Sequence, residues 1–80
     1  MTIQTRTFEK AFNRLSEPQK DVVDTAIAEI EENPEIGKRK KGHLSHLRVH
    51  KFKLEGREVL LGYSFIKQKL ELYFLNLGSH

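Results

Sequence analysis

The sequence predicts a small α+β domain: an N-terminal strand and an α-helical hairpin packed on one face of a small antiparallel sheet, in the order β-α-α-β-β-β. Three observations predict it. Two stretches of helical period meet at a capping signal near residue 16, strand-like alternation begins near residue 44, and turn signals cut that alternation into three runs. The length of 80 residues holds a single domain spanning residues 1–80.

Thr2 to Arg6 alternates polar and apolar with Ile3 inward, as a short strand does. Thr7 is placed to cap a helix in which Phe8, Ala11, Phe12 and Leu15 fall at i, i+3, i+4 and i+7, a core-facing stripe. Ser16 and Gln19 then form a capping box, and Pro18 occupies the first turn, where its missing N–H costs nothing. Val22, Val23, Ala26, Ile27 and Ile30 line one side of this second helix, and Asp21, Asp24, Glu29 and Glu31 crowd the rest. Asn33-Pro34 ends it, because the residue before a proline is pushed out of the helical region.

Gly37 to Gly42 is a polar connection with four consecutive basic residues. A strand from Leu44 or Ser45 to Leu54 follows, then a turn at Glu55-Gly56 and a strand from Glu58 to Ile66. Lys67-Gln68 makes the next tight turn, and Lys69 to Leu77 the last strand. Both faces of these last two strands are largely apolar, which predicts a central position or a covered second face.

Composition narrows the function. Without cysteine there is no disulfide and no thiolate metal site. No apolar run approaches the roughly 20 residues of a membrane span, and the N-terminus has no signal-peptide core, so the expected location is the cytoplasm. The net charge is +3, but its distribution says more. Seven of the eleven acids lie between Glu17 and Glu35, whereas Lys38 to Leu54 holds seven of the fourteen Lys and Arg, three of the four His and no acid. A basic flank of this kind suits phosphate or an acidic partner; read as a solvated loop, it needs neither.

In a strand, His46, Arg48 and His50 share a face opposite Leu47 and Val49. Two imidazoles beside a guanidinium, on the sheet face away from the helices, would bind phosphate and move a proton near neutral pH. A polar outer face with no function explains the same residues. The alternation slips beyond His50, because Phe52 and Leu54 share its parity; either a bulge near Lys51 or a twist of the strand end away is expected, and the face of Lys51 and Lys53 stays open. His43, His46 and His50 do not make a metal site, having neither a common face nor a carboxylate in the stretch to complete it. Tyr73, out of phase with Leu70, Leu72 and Phe74, is the ring placed to stack on a base.

These residues resemble a known family. The segments ENPEIG, KKGHLSHLRVHKFKL and EVLLGYSF and the terminal LGSH, in this order, are similar to the RelE/ParE superfamily of toxins from bacterial type II toxin–antitoxin pairs. The resemblance implies a metal-independent, cofactor-free endoribonuclease that cleaves mRNA, associated with the ribosome, and so inhibits translation. It implies catalytic roles for Arg48, His50 and His80, and RNA binding by Lys40, Lys41, His46, Lys51, Lys53, Arg57 and Tyr73. A cognate acidic antitoxin is the expected partner. The ParE side of the superfamily offers another reading, a poison of DNA gyrase, and an inactive fold that only binds antitoxin is a third. Two departures bear on the choice. Val59-Leu60-Leu61 holds no arginine where ribonucleolytic members carry one, and relatives run past the terminal motif into a segment with Phe or Tyr. A shortened chain, by truncation or by nature, with an incomplete site is the expectation from the second.

Overall fold

A computed structural model of the chain describes residues 2–39, 42, 46–66 and 71–79, with 71–76 and 79 given by backbone alone. Its elements are β1 (Thr2–Gln4), α1 (Arg6–Asn13), α2 (Glu17–Glu32), β2 (Lys38–Arg39), β3 (Leu47–Leu54), β4 (Arg57–Ile66) and β5 (Glu71–Ser79). They form a five-stranded sheet in the order β1-β5-β4-β3-β2. The expected architecture holds, with two additions: the short β2 inside the basic connection, and a parallel rather than antiparallel pairing of β1 with β5. The expected turn at Lys67-Gln68 lies outside the described residues.

The helices start where side chains satisfy their first N–H groups. For α2 the capping box is complete: Ser16 Oγ accepts from the Gln19 N–H at 3.4 Å, and Gln19 Oε1 accepts from the Ser16 N–H at 2.9 Å. For α1 the cap is Thr5 and not Thr7. Thr5 is extended and accepts from the Phe8 N–H at 3.3 Å, so the helix begins two residues earlier and takes Thr7 into its first turn. The apolar stripe keeps its face, except that Leu15 follows the helix in a turn closed on the Phe12 carbonyl at 3.1 Å.

Both helices cover one face of the sheet. Phe8 of α1 and Val23, Ile27 and Ile30 of α2 pack with Leu61 and Tyr63 of β4, and Phe12, Leu15, Phe52, Phe65 and Leu77 border this core. The β3–β4 ladder runs from Leu47↔Ser64 to Leu54↔Arg57 without a break. Of the two alternatives for Lys51, the bulge is absent from this ladder; the sheet's irregularity lies one strand over, where Gly62 pairs with Asn76 and Tyr63 with Phe74, leaving Leu75 of β5 as the extra residue. The β3–β4 turn is tight because Glu55 and Gly56 both take positive φ, 51° and 81°, the twist that suits a two-residue hairpin.

The exit from α2 is clasped by one phenol. Tyr63, fully buried, accepts from the Gly37 N–H at 2.9 Å and donates to the Pro34 carbonyl at 2.8 Å. Gly37 has to lack a side chain here, since a Cβ would stand 2.7 Å from both Cε1 and Oη of Tyr63. Gly37→Ala is therefore expected to cost about 1–3 kcal/mol through overpacking. Tyr63→Phe should cost about 1–3 kcal/mol by leaving the Gly37 N–H unmet. Both would be read as a lower urea midpoint at unchanged m-value. Burial also raises the Tyr63 phenol above its ordinary 10.0. The folded state thus holds this proton more tightly, and the stability it confers is complete below pH 10 and lost as pH rises through the raised value. The stability gap between parent and Tyr63→Phe should accordingly narrow in strongly alkaline solution.

Candidate nucleic-acid interface

Because β3 keeps strict alternation, its two faces can be read from its partners on β4. Arg48 opposes buried Tyr63, and His50 opposes buried Leu61. Both therefore share the helix-side face with Phe52 and Leu54, and the expectation that they look out from the opposite, open face is corrected. Burying Phe52 and Leu54 is worth more than exposing them to free an imidazole, so the apolar end of the strand sets its phase. Arg48 Nη1 donates to the Glu35 carbonyl at 3.1 Å and the Gly37 carbonyl at 2.8 Å, tying down the turn that Tyr63 clasps. His50, with 13% of its side chain exposed, meets Glu29 of α2 across 3.3 Å and stacks on Phe52, ring centroids 6.0 Å apart. His46 is exposed in the turn before β3 and does not belong to the strand. The expected trio of His46, Arg48 and His50 is not brought together on one open surface.

The helix-free face carries a different set. By the same register it holds Val49, Lys51 and Lys53 from β3, opposed by Gly62, Leu60 and Glu58 of β4. Lys38 of β2 joins beside Val49, and Gly78 of β5 opposes Leu60. Lys38, Lys51 and Lys53 are exposed, and Glu58, Leu60 and Gly62 half-exposed. Gly78 is also exposed, with no atom within 4 Å of where a Cβ would stand. The floor is shallow there, and lysines two residues apart rise from it about 7 Å from each other along the strand. Among the described side chains, three ammonium groups and one carboxylate make this surface attractive to a phosphodiester chain.

Of the remaining expected site residues, Arg57 falls elsewhere, whereas Tyr73 pairs with Ser64, which shares the phase of Leu60 and Gly62 on β4. Arg57 opposes Leu54 at the hairpin end and shares its phase with buried Val59, so it does not join the lysines. Tyr73 pairs with Ser64 and Ile3 through the backbone. Lys40, Lys41 and His80 lie outside the described residues. Lys38 and Glu58 were missed by sequence reasoning. The two-residue turn at Glu55-Gly56 held the signal for Glu58, because it forces Lys53 and Glu58 to face each other. A two-residue strand such as β2 has no period to read, so Lys38 stood only as the start of the basic stretch, with no face assigned.

The chain belongs to the ParE-like toxins of type II bacterial toxin–antitoxin systems, matching that family over residues 2–80. No curated protein matches the sequence significantly. Among solved structures it is similar to the intact RelBE toxin–antitoxin complex of E. coli, with a TM-score of 0.79 and 19% identity over 100% of this chain and 95% of that one. The isolated E. coli RelE toxin gives 0.77 and 19%, covering 99% of this chain and 82% of that one. The RelBE2 complex of Mycobacterium tuberculosis gives 0.80 and 16%, covering 100% and 96%. At these identities the likeness speaks for the fold.

The two faces of β3 should separate under mutation. Arg48→Gln is expected to lower stability by about 1 kcal/mol or more, as two carbonyls lose a charged donor. Lys51→Gln and Lys53→Gln should each stay within about 0.5 kcal/mol of the parent. Chemical denaturation of the three variants checks the assignment, and a reversed order would mean the faces are exchanged.

Proposed function

We propose that this toxin is a metal-independent endoribonuclease that holds mRNA on the helix-free face of its sheet, acts on ribosomes in the cytoplasm and so arrests translation. The observation that carries this reading is the exposed pair Lys51 and Lys53 on an open sheet surface, with the Glu58 carboxylate opposite Lys53. A strand of RNA laid along the face would set a phosphate between the two ammonium groups, which stabilise the charge that builds on its oxygens during reaction. Glu58 is within the same surface and can take the proton of the adjacent ribose 2′-hydroxyl. The 2′-oxygen then bonds to phosphorus as the bond to the 5′-oxygen breaks, giving a 2′,3′-cyclic phosphate and a 5′-hydroxyl. His80, directly after the end of β5, is assigned the proton delivered to the leaving oxygen. Lys38 extends the phosphate-binding track, and RNA binding is also assigned to Lys40 and Lys41. Arg48 and His50 serve as positioning residues that fix β3 against α2.

The structural relatives include toxin–antitoxin complexes, which supports a cognate antitoxin as this chain's partner. An acidic antitoxin would neutralise the lysine face and close it to RNA. The ParE-like family and the absence of arginine from Val59-Leu60-Leu61 favour a second reading, a gyrase poison that cuts nothing.

Primer extension on a defined message, after induction in cells, tests the choice. Lys51→Gln with Lys53→Gln, or Glu58→Gln alone, should reduce cleavage by about 100-fold or more and relieve growth arrest, with the fold retained. Undiminished cleavage in these variants overturns the site. Growth arrest with DNA-damage signalling and an intact message overturns the nuclease and supports the gyrase target. Antitoxin binding with neither effect identifies an inactive member.

A further inference from the structure

The face of α1 turned away from the core carries a second cationic surface. Arg6, Lys10 and Arg14 recur at i, i+4 and i+8, Arg14 being the C-cap in helical conformation, so they form one ridge about 12 Å long at 1.5 Å per residue. All three are exposed, as is Asn13 beside them, and none makes an ion pair among the described residues. The stripe Phe8, Ala11 and Phe12 lies roughly opposite around the helix and packs inward. The N-terminal end of the ridge works against its own helix, whereas Lys10 in the last turn and Arg14 at the C-cap suit the dipole. Like charges four residues apart repel, and a guanidinium in the first turn faces the positive end of the helix dipole. Glu9, on the far margin of the ridge, is the only acid in the helix.

On the reading that the toxin acts on RNA, we infer that this ridge is a second RNA-binding surface, directed at the phosphate backbone of a duplex. Two features select that ligand. No exposed ring stands on the ridge to stack an unpaired base: Phe8 is buried, and Phe12 lies half-buried under the Lys20 ammonium, 5.7 Å from its ring centroid. Nor does an apolar side chain anchor it, as a protein partner's hot spot would require. What remains is a straight row of charges that reads shape and phosphate, the mode by which double-stranded RNA is held. The ridge lies on the helix side of the sheet and Lys51 and Lys53 on the other, in a molecule whose shortest dimension is 22 Å. The two surfaces therefore engage different segments: a single strand on the sheet and a duplex on α1, as when the toxin sits in a cleft of a folded RNA.

Fluorescence anisotropy of the full chain with a blunt RNA duplex of about 16 base pairs, and separately with an unpaired RNA, tests this at about 50 and 200 mM salt. Replacing Arg6, Lys10 and Arg14 together by Gln should weaken duplex binding about 10-fold or more at the lower salt and reduce the slope of log K against log salt by about 2 to 3. Lys10→Glu, which sets an acid between two arginines, should weaken duplex binding in the same direction; circular dichroism confirms the fold of both. The pair Lys51→Gln and Lys53→Gln should leave duplex binding within about twofold while weakening binding of the unpaired RNA. Duplex binding by the triple variant equal to the parent's overturns the inference, as does loss of binding to a poly-glutamate peptide without loss of duplex. If instead the lysine pair variant binds unpaired RNA undiminished, the sheet-face reading fails while the ridge is judged by its own variants.

Discussion

The Tyr63 phenol is the point on which the architecture turns. It lies at the centre of the sheet, fully buried, and holds the backbone on both sides of the α2 exit through Pro34 and Gly37. Burying an aromatic on that face of β4 commits the alternation of the whole strand, and the unbroken ladder passes the commitment on to β3. Arg48 then finds its donors' needs met by the carbonyls of the same clasped turn. The chain leaves that turn directly into Lys38 and Arg39, so the phenol that closes the core also delivers the first cation of the open face.

Much of this was legible in the residues. Ser16, Pro18 and Gln19 mark the start of α2 because unsatisfied N–H groups at a helix end demand those side chains, and Asn33-Pro34 marks its end for an equally local reason. Glu55-Gly56 announces its hairpin through the backbone angles it must adopt. The candidate site was less legible, and Arg48 shows why. A guanidinium in a strand suggests an outward face, yet the carbonyls just past a helix end also need donors, and those belong to residues 11 and 13 positions away. Only the assembled structure reveals that competition. The slip in alternation after His50 pointed the same way: taking Phe52 and Leu54 as the fixed phase would have turned Arg48 and His50 inward without a bulge.

The charges divide along the layers of the fold. Acids concentrate on α2, and its Glu29 is engaged with β3 through His50. Cations line the helix-free sheet face on one side and the outer ridge of α1 on the other. A modest net charge of +3 thus conceals a strongly patterned surface. Such a pattern steers orientation more than it adds affinity, because a polyanion meets attraction on two sides and repulsion near α2.

The parallel pairing of β1 with β5 joins Thr2, Ile3 and Gln4 to Leu72, Tyr73 and Phe74, the first element made to the last. A nascent chain therefore has no neighbour for β1 until residues 72–74 have been made. The helical hairpin likewise waits for β4 to supply Leu61 and Tyr63. Contacts so distant along the chain close slowly and late. The sheet that carries the lysine face is thereby completed only once β5 has been made, which leaves an interval in which a neutralising partner can already be at hand.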